Sequence, residues 1–221
     1  MLPSAIIHLF NEFYTSSGDE FCARQKKAKG GKVVRVIAGE NKGRILKPVA
    51  GRMTRPTTDK VKETIFNMIG PFFDGGVVLD LYGGSGALGI EALSRGADRA
   101  VFVEKAPAAC RVIRENVGNC RYDERAEIYK YDARRALERF SDEGRTFDYV
   151  FLDPPYASRR LTDDLGTLLN KHLLAGGATV VCEHEDAFQL PDTFPGTLVR
   201  QKYKTYQGKT AVSIYTFKKD N

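Results

Sequence analysis

The sequence predicts an α/β fold: a doubly wound, mostly parallel sheet that finishes in a C-terminal antiparallel hairpin. Three observations carry this expectation. From Gly76 onward, short apolar runs alternate with segments of helical periodicity, the pattern of a parallel sheet. The first run is followed by a glycine-rich turn, Gly83-Gly84-Ser85-Gly86, that opens a helix. The last two runs, 198–204 and 211–217, are joined by Thr205-Tyr206-Gln207-Gly208-Lys209 with no helix between them, as in a hairpin.

Taken in order, residues 1–32 show no sustained periodicity and end in a Lys/Gly-rich stretch, so a weakly ordered basic extension is expected there. Residues 33–75 read as a small basic hairpin and a helix. The hairpin strands are expected over 33–38 and 44–48, with the turn at 39–43. Pro56 biases Arg55 away from helix, and Thr57 or Thr58 can cap the helix after it. In that helix Val61, Ile65, Met68 and Ile69 form one apolar face. Lys60 and Lys62 sit near its N-terminus, where the dipole disfavours cations. Either something anionic docks there or the local cost is small; docking is the reading preferred.

Residues 76–221 carry the sheet. Strands are expected at 77–81, 100–104, 126–131, 149–152 and 178–183, with helices at 87–95, from about 107, at 134–140 and at 161–174. There are no internal repeats and no second globular domain.

A chain of 221 residues, 42% hydrophobic and 28% charged, is enough for one such domain with a full core. No apolar run approaches the ~20 residues of a membrane span. The short apolar stretch 5–10 lacks the basic flank and cleavage site of a signal peptide. Cys22, Cys110, Cys120 and Cys182 are scattered without a C-x-x-C, which points to a reducing, cytoplasmic setting rather than a zinc site or disulfide framework. His8, His172 and His184 show no metal spacing, and no metal is expected. Charge is uneven. Between Arg24 and Lys62 thirteen Lys or Arg stand against Glu40 and Asp59, a formal +11 against +6 for the whole chain, which leaves −5 for the remainder. A basic arm on a mildly acidic body suits a polyanionic partner, although a solvated tail has the same composition.

The chain is organised around Asp153-Pro154-Pro155-Tyr156. It follows the apolar run 147–152, and two prolines cannot continue a strand, so a stiff loop is expected at the strand's C-terminal end. That edge is where ligands bind in open α/β sheets. A carboxylate, a carbonyl held by two prolines and an aromatic ring suit a planar amino group on a nucleobase. A plain strand-ending turn is the alternative.

Gly84-x-Gly86-x-x-Gly89 matches the dinucleotide fingerprint. Asp80, just before the loop, argues against a pyrophosphate there. Asp80, Glu104, Asp132 and Asp153 close the first four strands of the sheet. Glu104 stands where both ribose hydroxyls would be accepted, and Asp132 can accept from an adenine amino group. The fitting ligand has a ribose, an adenine and a cationic amino-acid tail without phosphate: S-adenosylmethionine. The plainer alternatives are Asp80 as a hydrogen-bonded cap, Glu104 as a surface acid and Asp132 as a helix N-cap.

The stretch 78–86 and Asp153-Pro154-Pro155-Tyr156 together resemble the Rossmann-like class I S-adenosylmethionine-dependent amino methyltransferases. Arg35-Val36-Ile37-Ala38-Gly39, Lys42-Gly43-Arg44, residues 55–59 with 62–67, and 84–96 are similar to the RsmD family, guanine-N2 methyltransferases of small-subunit (16S) ribosomal RNA. The resemblance runs from about Val34 to Phe217; residues 1–32 lie outside it. It implies a cofactor site from Asp80, Tyr82, Gly83, Gly84, Ser85 and Gly86, with Glu104 and Lys105, Asp132 and Ala133, and Asp153. It implies catalysis by Asp153, Pro154, Pro155 and Tyr156. RNA would be held by Arg35, Lys42, Arg44, Arg55, Thr57, Thr58 and Lys60. The implied partner is ribosomal RNA or the assembling small subunit, with no membrane, and the chain is expected to be a monomer.

In the mechanism this implies, the Asp153 carboxylate and the Pro154 carbonyl accept the two N–H bonds of the guanine amine and aim its lone pair at the methyl donor. Tyr156 stacks on a base turned out of its helix. A DNA adenine-N6 or cytosine-N4 methyltransferase shares the motif, but no insertion is long enough for a target-recognition region. Glutamine methylation would resemble Asn at position 153. An NAD-dependent oxidoreductase is disfavoured by Asp80, and a non-catalytic RNA-binding protein by the full set of acids.

Overall fold

Runs of β-branched and aromatic residues, alternating between two covered faces, build the sheet. The computed structural model describes residues 33–50, 59–154, 157–194, 197–206 and 210–218. Its strands are β1 (Val34–Arg35), β2 (Ile45–Leu46), β3 (Val77–Asp80), β4 (Arg99–Val103), β5 (Ala126–Tyr129), β6 (Phe147–Leu152), β7 (Leu174–Glu185), β8 (Thr193–Phe194), β9 (Leu198–Tyr206) and β10 (Thr210–Phe217). Its α-helices are α1 (Asp59–Ile69), α2 (Ala87–Ser94), α3 (Pro107–Asn119), α4 (Ala133–Asp142) and α5 (Ala157–Asn170).

The main sheet has the order β5-β4-β3-β6-β7-β10-β9-β8. The first five of these strands pair in parallel, and β10, β9 and β8 add antiparallel. The chain leaves β3 for β4 on one side and returns to β6 on the other. The carboxyl ends of β3 and β6 therefore flank a topological switch point, where a crevice opens.

Alternation along the strands divides the core. Leu79, Val101, Val103, Val150 and Leu152 face α4 and α5, and pack with Leu137, Phe140, Leu161 and Leu165. Val78, Ala100, Phe102 and Phe151 face the other way, toward Ile65 and Phe66 of α1, Ile90 and Leu93 of α2, and Ile113 of α3. Burying one such side chain is worth about 1.5–3 kcal/mol. Val34, Val36 and Leu46 of the small hairpin belong to this second cluster.

Several boundaries differ from expectation, each for a local reason. In the hairpin only Val34–Arg35 and Ile45–Leu46 pair as strands, because the Ile37 and Ala38 N–H groups turn to a carboxylate on α2 instead. Helix α5 ends at Asn170, four residues early: His172 takes φ 52° and the Leu173 N–H returns to the Leu168 carbonyl, closing the helix. Leu174 then starts β7, so this strand is longer than the expected 178–183. The two-residue β8 was not foreseen; it pairs only with Leu198 and Val199.

Helix α1 has no basic residue in its own last turn. Lys202 of β9 supplies one, donating to the Met68 carbonyl at 2.6 Å. Among the described residues no helix is long and apolar enough to cross a membrane, and no group of three or more His, Cys, Asp or Glu could hold a metal ion.

Candidate active site at the carboxyl edge

The glycine loop takes its shape from packing behind it. Gly86 caps α2 at φ 79°, a left-handed conformation that favours glycine. A Cβ at Gly89 would stand 2.3 Å from Phe102 Cε1, so α2 lies directly on β4. Asn116 of α3, fully buried, donates to the Ser85 carbonyl at 2.8 Å and exchanges hydrogen bonds with the Lys47 backbone at 2.8 and 3.0 Å.

Three acids meet around this loop. Asp80 is 3% exposed and accepts from the Gly89 N–H at 3.1 Å, so it does act as a cap. Burial pushes its carboxyl up to about 7; the Gly89 bond opposes this, and the negative charges of Asp153 and Glu104 reinforce it. Glu104 is buried rather than on the surface, and accepts from the Gly84 N–H at 3.2 Å and the Ala106 N–H at 2.8 Å. Asp153 is exposed at the end of β6, and Pro154 behind it is buried.

Other expected site residues fall as follows. Tyr82 donates to Asp164 of α5 at 2.5 Å, tying the loop after β3 to the helix that follows β6. Burial raises both groups above their ordinary ranges; the shared hydrogen bond adds to the rise in Tyr82 and opposes it in Asp164. Asp132 lies beyond the end of β5 and caps α4 by accepting from the Arg135 N–H at 3.1 Å. Ala133 buries its methyl in the core, so it offers a ligand only its backbone. Lys105 is exposed. Pro155 and Tyr156 lie outside the described residues.

In the basic arm, Lys42, Arg44 and Lys60 are exposed, and the exposed Arg35 pairs with Asp59 at 2.8 Å. Arg55, Thr57 and Thr58 fall outside the described residues. The reading that the lysine pair of α1 marks a docked anion is corrected for Lys62. Its side chain is 1% exposed and its Nζ sits 3.0 Å from Glu91 and also on the Arg35 carbonyl. The charge that offsets the helix dipole is internal.

Sequence reasoning missed Glu91, Asn116 and Asp164. The only signal for Glu91 was an acid set inside Ala87-Leu88-Gly89-Ile90-Glu91-Ala92-Leu93, a helix with no polar face to hold it.

A family model described as Conserved hypothetical protein 95 matches residues 34–216. The chain is 47% identical over 182 residues to YlbH of Bacillus subtilis (strain 168), provisionally named an rRNA methyltransferase; the match covers 82% of this chain and 98% of that one. It is 33% identical over 181 residues to ribosomal RNA small subunit methyltransferase D of Haemophilus influenzae, covering 79% and 93%. Among solved structures, a conserved hypothetical protein of Streptococcus pyogenes superimposes with a TM-score of 0.67 at 42% identity, covering 72% and 96%. An RNA methyltransferase of Salinibacter ruber, solved with S-adenosyl-L-homocysteine, shares the fold with a TM-score of 0.56 at 21% identity, covering 76% and 96%.

Proposed function

The chain belongs to the Conserved hypothetical protein 95 family, the RsmD family of ribosomal RNA methyltransferases, and from that membership we propose that it transfers a methyl group from S-adenosylmethionine to the exocyclic N2 amine of a guanine in small-subunit ribosomal RNA. The observation that carries the reading is the placement of the exposed Asp153 within electrostatic reach of the buried Asp80, at the ends of adjacent strands β6 and β3.

The site fits a cationic, phosphate-free cofactor. Glu104 already occupies the Gly84 N–H, and Asp80 stands behind the loop, so a pyrophosphate would face two carboxylates. An ionised Asp80 suits an ammonium group, and Glu104 keeps acceptor capacity for ribose hydroxyls. Bound here, S-adenosylmethionine supplies an electrophilic methyl group on a positively charged sulfur.

The protein's own part is to hold the amine. Its lone pair is delocalised into the guanine ring, which makes it a poor nucleophile. The Asp153 carboxylate and the Pro154 carbonyl accept its two N–H bonds, favour a pyramidal nitrogen and direct the lone pair. The methylated nitrogen then loses one proton, to Asp153 or to the water that reaches it. Tyr156 is given its stacking role by the family resemblance. Arg35, Lys42, Arg44 and Lys60, with Arg55, Thr57 and Thr58, hold the RNA backbone.

Tritium transfer from labelled S-adenosylmethionine tests this. Naked small-subunit RNA and 30S particles from cells lacking the endogenous activity are offered, with duplex DNA alongside, and products are digested to nucleosides. Label in N2-methylguanosine is the expected result. Label in N6-methyladenine of DNA, or none in RNA, overturns it.

A further inference from the structure

Strands β7, β10 and β9 overrun the site. The last β6–β7 pair is Leu152 with Cys182, yet β7 runs on to Glu185, paired with β10 to that residue, and β10 in turn stays paired with β9. These three strands stand about 10 Å proud of β6, a wall beside Asp153. Glu183 pairs with Val212, and Val212 with Lys204. Lys204 therefore occupies the row of Asp153, three strand spacings or about 14 Å away.

The wall is graded in charge on the side facing α1. On the strand next to β6, beside Asp153, stand Glu183 and Glu185 of β7; at the outer strand stand Lys202 and Lys204. The ring of Tyr206 joins this wall to α1. Its hydroxyl is enclosed near Thr64 and Glu183 and makes no hydrogen bond of good geometry among the described residues. Lys204 Nζ lies 6.0 Å from that ring. One turn before Thr64 on the same helix is Lys60, whose carbonyl accepts from the Thr64 hydroxyl at 2.7 Å. Lys204 thus lies over the Tyr206 ring and Lys60 one helical turn from the Thr64 that its hydroxyl faces, both exposed. Neither has a carboxylate partner among the described residues, whereas Arg125, Arg134, Arg139, Arg145 and Arg200 are all ion-paired.

We propose that this C-terminal wall is a second RNA-binding surface, on which Lys204, with Lys60 across Tyr206, holds phosphates of the strand that carries the target nucleotide. The inference rests on the reading of RNA as substrate and extends the RNA-binding surface beyond the basic N-terminal arm. A base turned toward Asp153 needs acceptors, and the inner acids lie on that side. Its backbone must leave over the rim, where free cations are needed. The outer edge of β9 is open to it: β8 covers only Leu198 and Val199, and residues 201–205 are exposed. The competing role for an edge-strand lysine is to prevent strand addition from another chain.

The test measures RNA affinity at several salt concentrations, RNA KM and kcat, and S-adenosylmethionine affinity. The variants are Lys204→Glu and Lys60→Glu, with Lys171→Glu in the α5–β7 turn at the opposite edge as control. Lys204→Glu should weaken RNA binding about fivefold or more and make the salt dependence shallower by about 0.7 for each phosphate no longer neutralised. KM should rise while kcat at saturating RNA and cofactor affinity stay at the wild-type values. Lys204→Glu behaving like Lys171→Glu, in a preparation whose wild type binds RNA, overturns the proposal and leaves edge protection as the role. Failure of the wild type to bind any RNA overturns the functional reading itself, and this inference with it.

Discussion

Lys62 Nζ stands 3.0 Å from the Glu91 carboxylate, with 1% and none of the two side chains exposed. The same carboxylate accepts from Ile37 N–H at 2.8 Å, Ala38 N–H at 3.0 Å and Arg95 Nε at 2.8 Å. A single side chain on α2 therefore binds the hairpin, α1 and its own last turn together. Because α2 opens directly from the glycine loop, the element expected to meet RNA and the loop expected to hold the cofactor share one buried anchor.

Glu91→Ala strands two buried cations and two backbone donors. It should cost about 3–5 kcal/mol of stability, read as a lowered urea midpoint. Lys62→Met, which keeps the volume and the Arg95 pair, should cost clearly less. Equal losses in the two variants would refute Glu91 as the hub.

Asn116→Ala leaves the Lys47 N–H and two carbonyls without their partner. A loss of about 1–3 kcal/mol for a buried group left unsatisfied is expected. Since Ser85 is one of the groups released, S-adenosylmethionine affinity should fall more than RNA affinity. Calorimetry on the folded variant checks the difference.

Asp80 should make both stability and cofactor binding depend on pH. Its folded carboxyl lies at about 7, against about 3.9 in an unfolded chain. Between those values the folded protein holds the extra proton, so stability of the cofactor-free protein falls as pH rises from about 4 to about 7 and then levels. A cationic cofactor needs the ionised form. Its affinity should therefore increase from pH 6 to 8, with proton release visible as a buffer-dependent binding enthalpy. Asp80→Asn should flatten the stability trend; an unchanged slope would assign it to another group.

Asp153 is exposed and outside the core, so its replacement should leave the fold intact. Asp153→Asn should lower kcat by about 10²–10³. Full turnover in that variant would remove the carboxylate from the mechanism.

The parallel sheet, the glycine turn and the terminal hairpin were legible because they are local. A buried strand announces itself in five or six residues, and Gly83-Gly84-Ser85-Gly86 states its own turn. The acids at strand ends were legible for a related reason: parallel strands bring equivalent ends to one edge, so Asp80, Glu104 and Asp153 converge without any knowledge of packing. Lys62 was misread because its position in the helix was visible and its partner was not.

Local residue patterns thus specify most of the strands and helices, the class of sheet, and the group of acids around a glycine loop at its carboxyl edge. The partners of those groups came from packing between distant elements. Tyr82 meets Asp164 across 82 residues, Lys47 meets Asn116 across 69, and Lys202 reaches Met68 across 134. Such pairings leave no periodic trace, since periodicity records only which face of an element is buried, not which element covers it. Burial then changes the chemistry. It turned a lysine expected to meet a docked anion into an internal counter-ion, and it moved the Asp80 carboxyl from the acid range to neutrality, because charge is costly wherever packing excludes water.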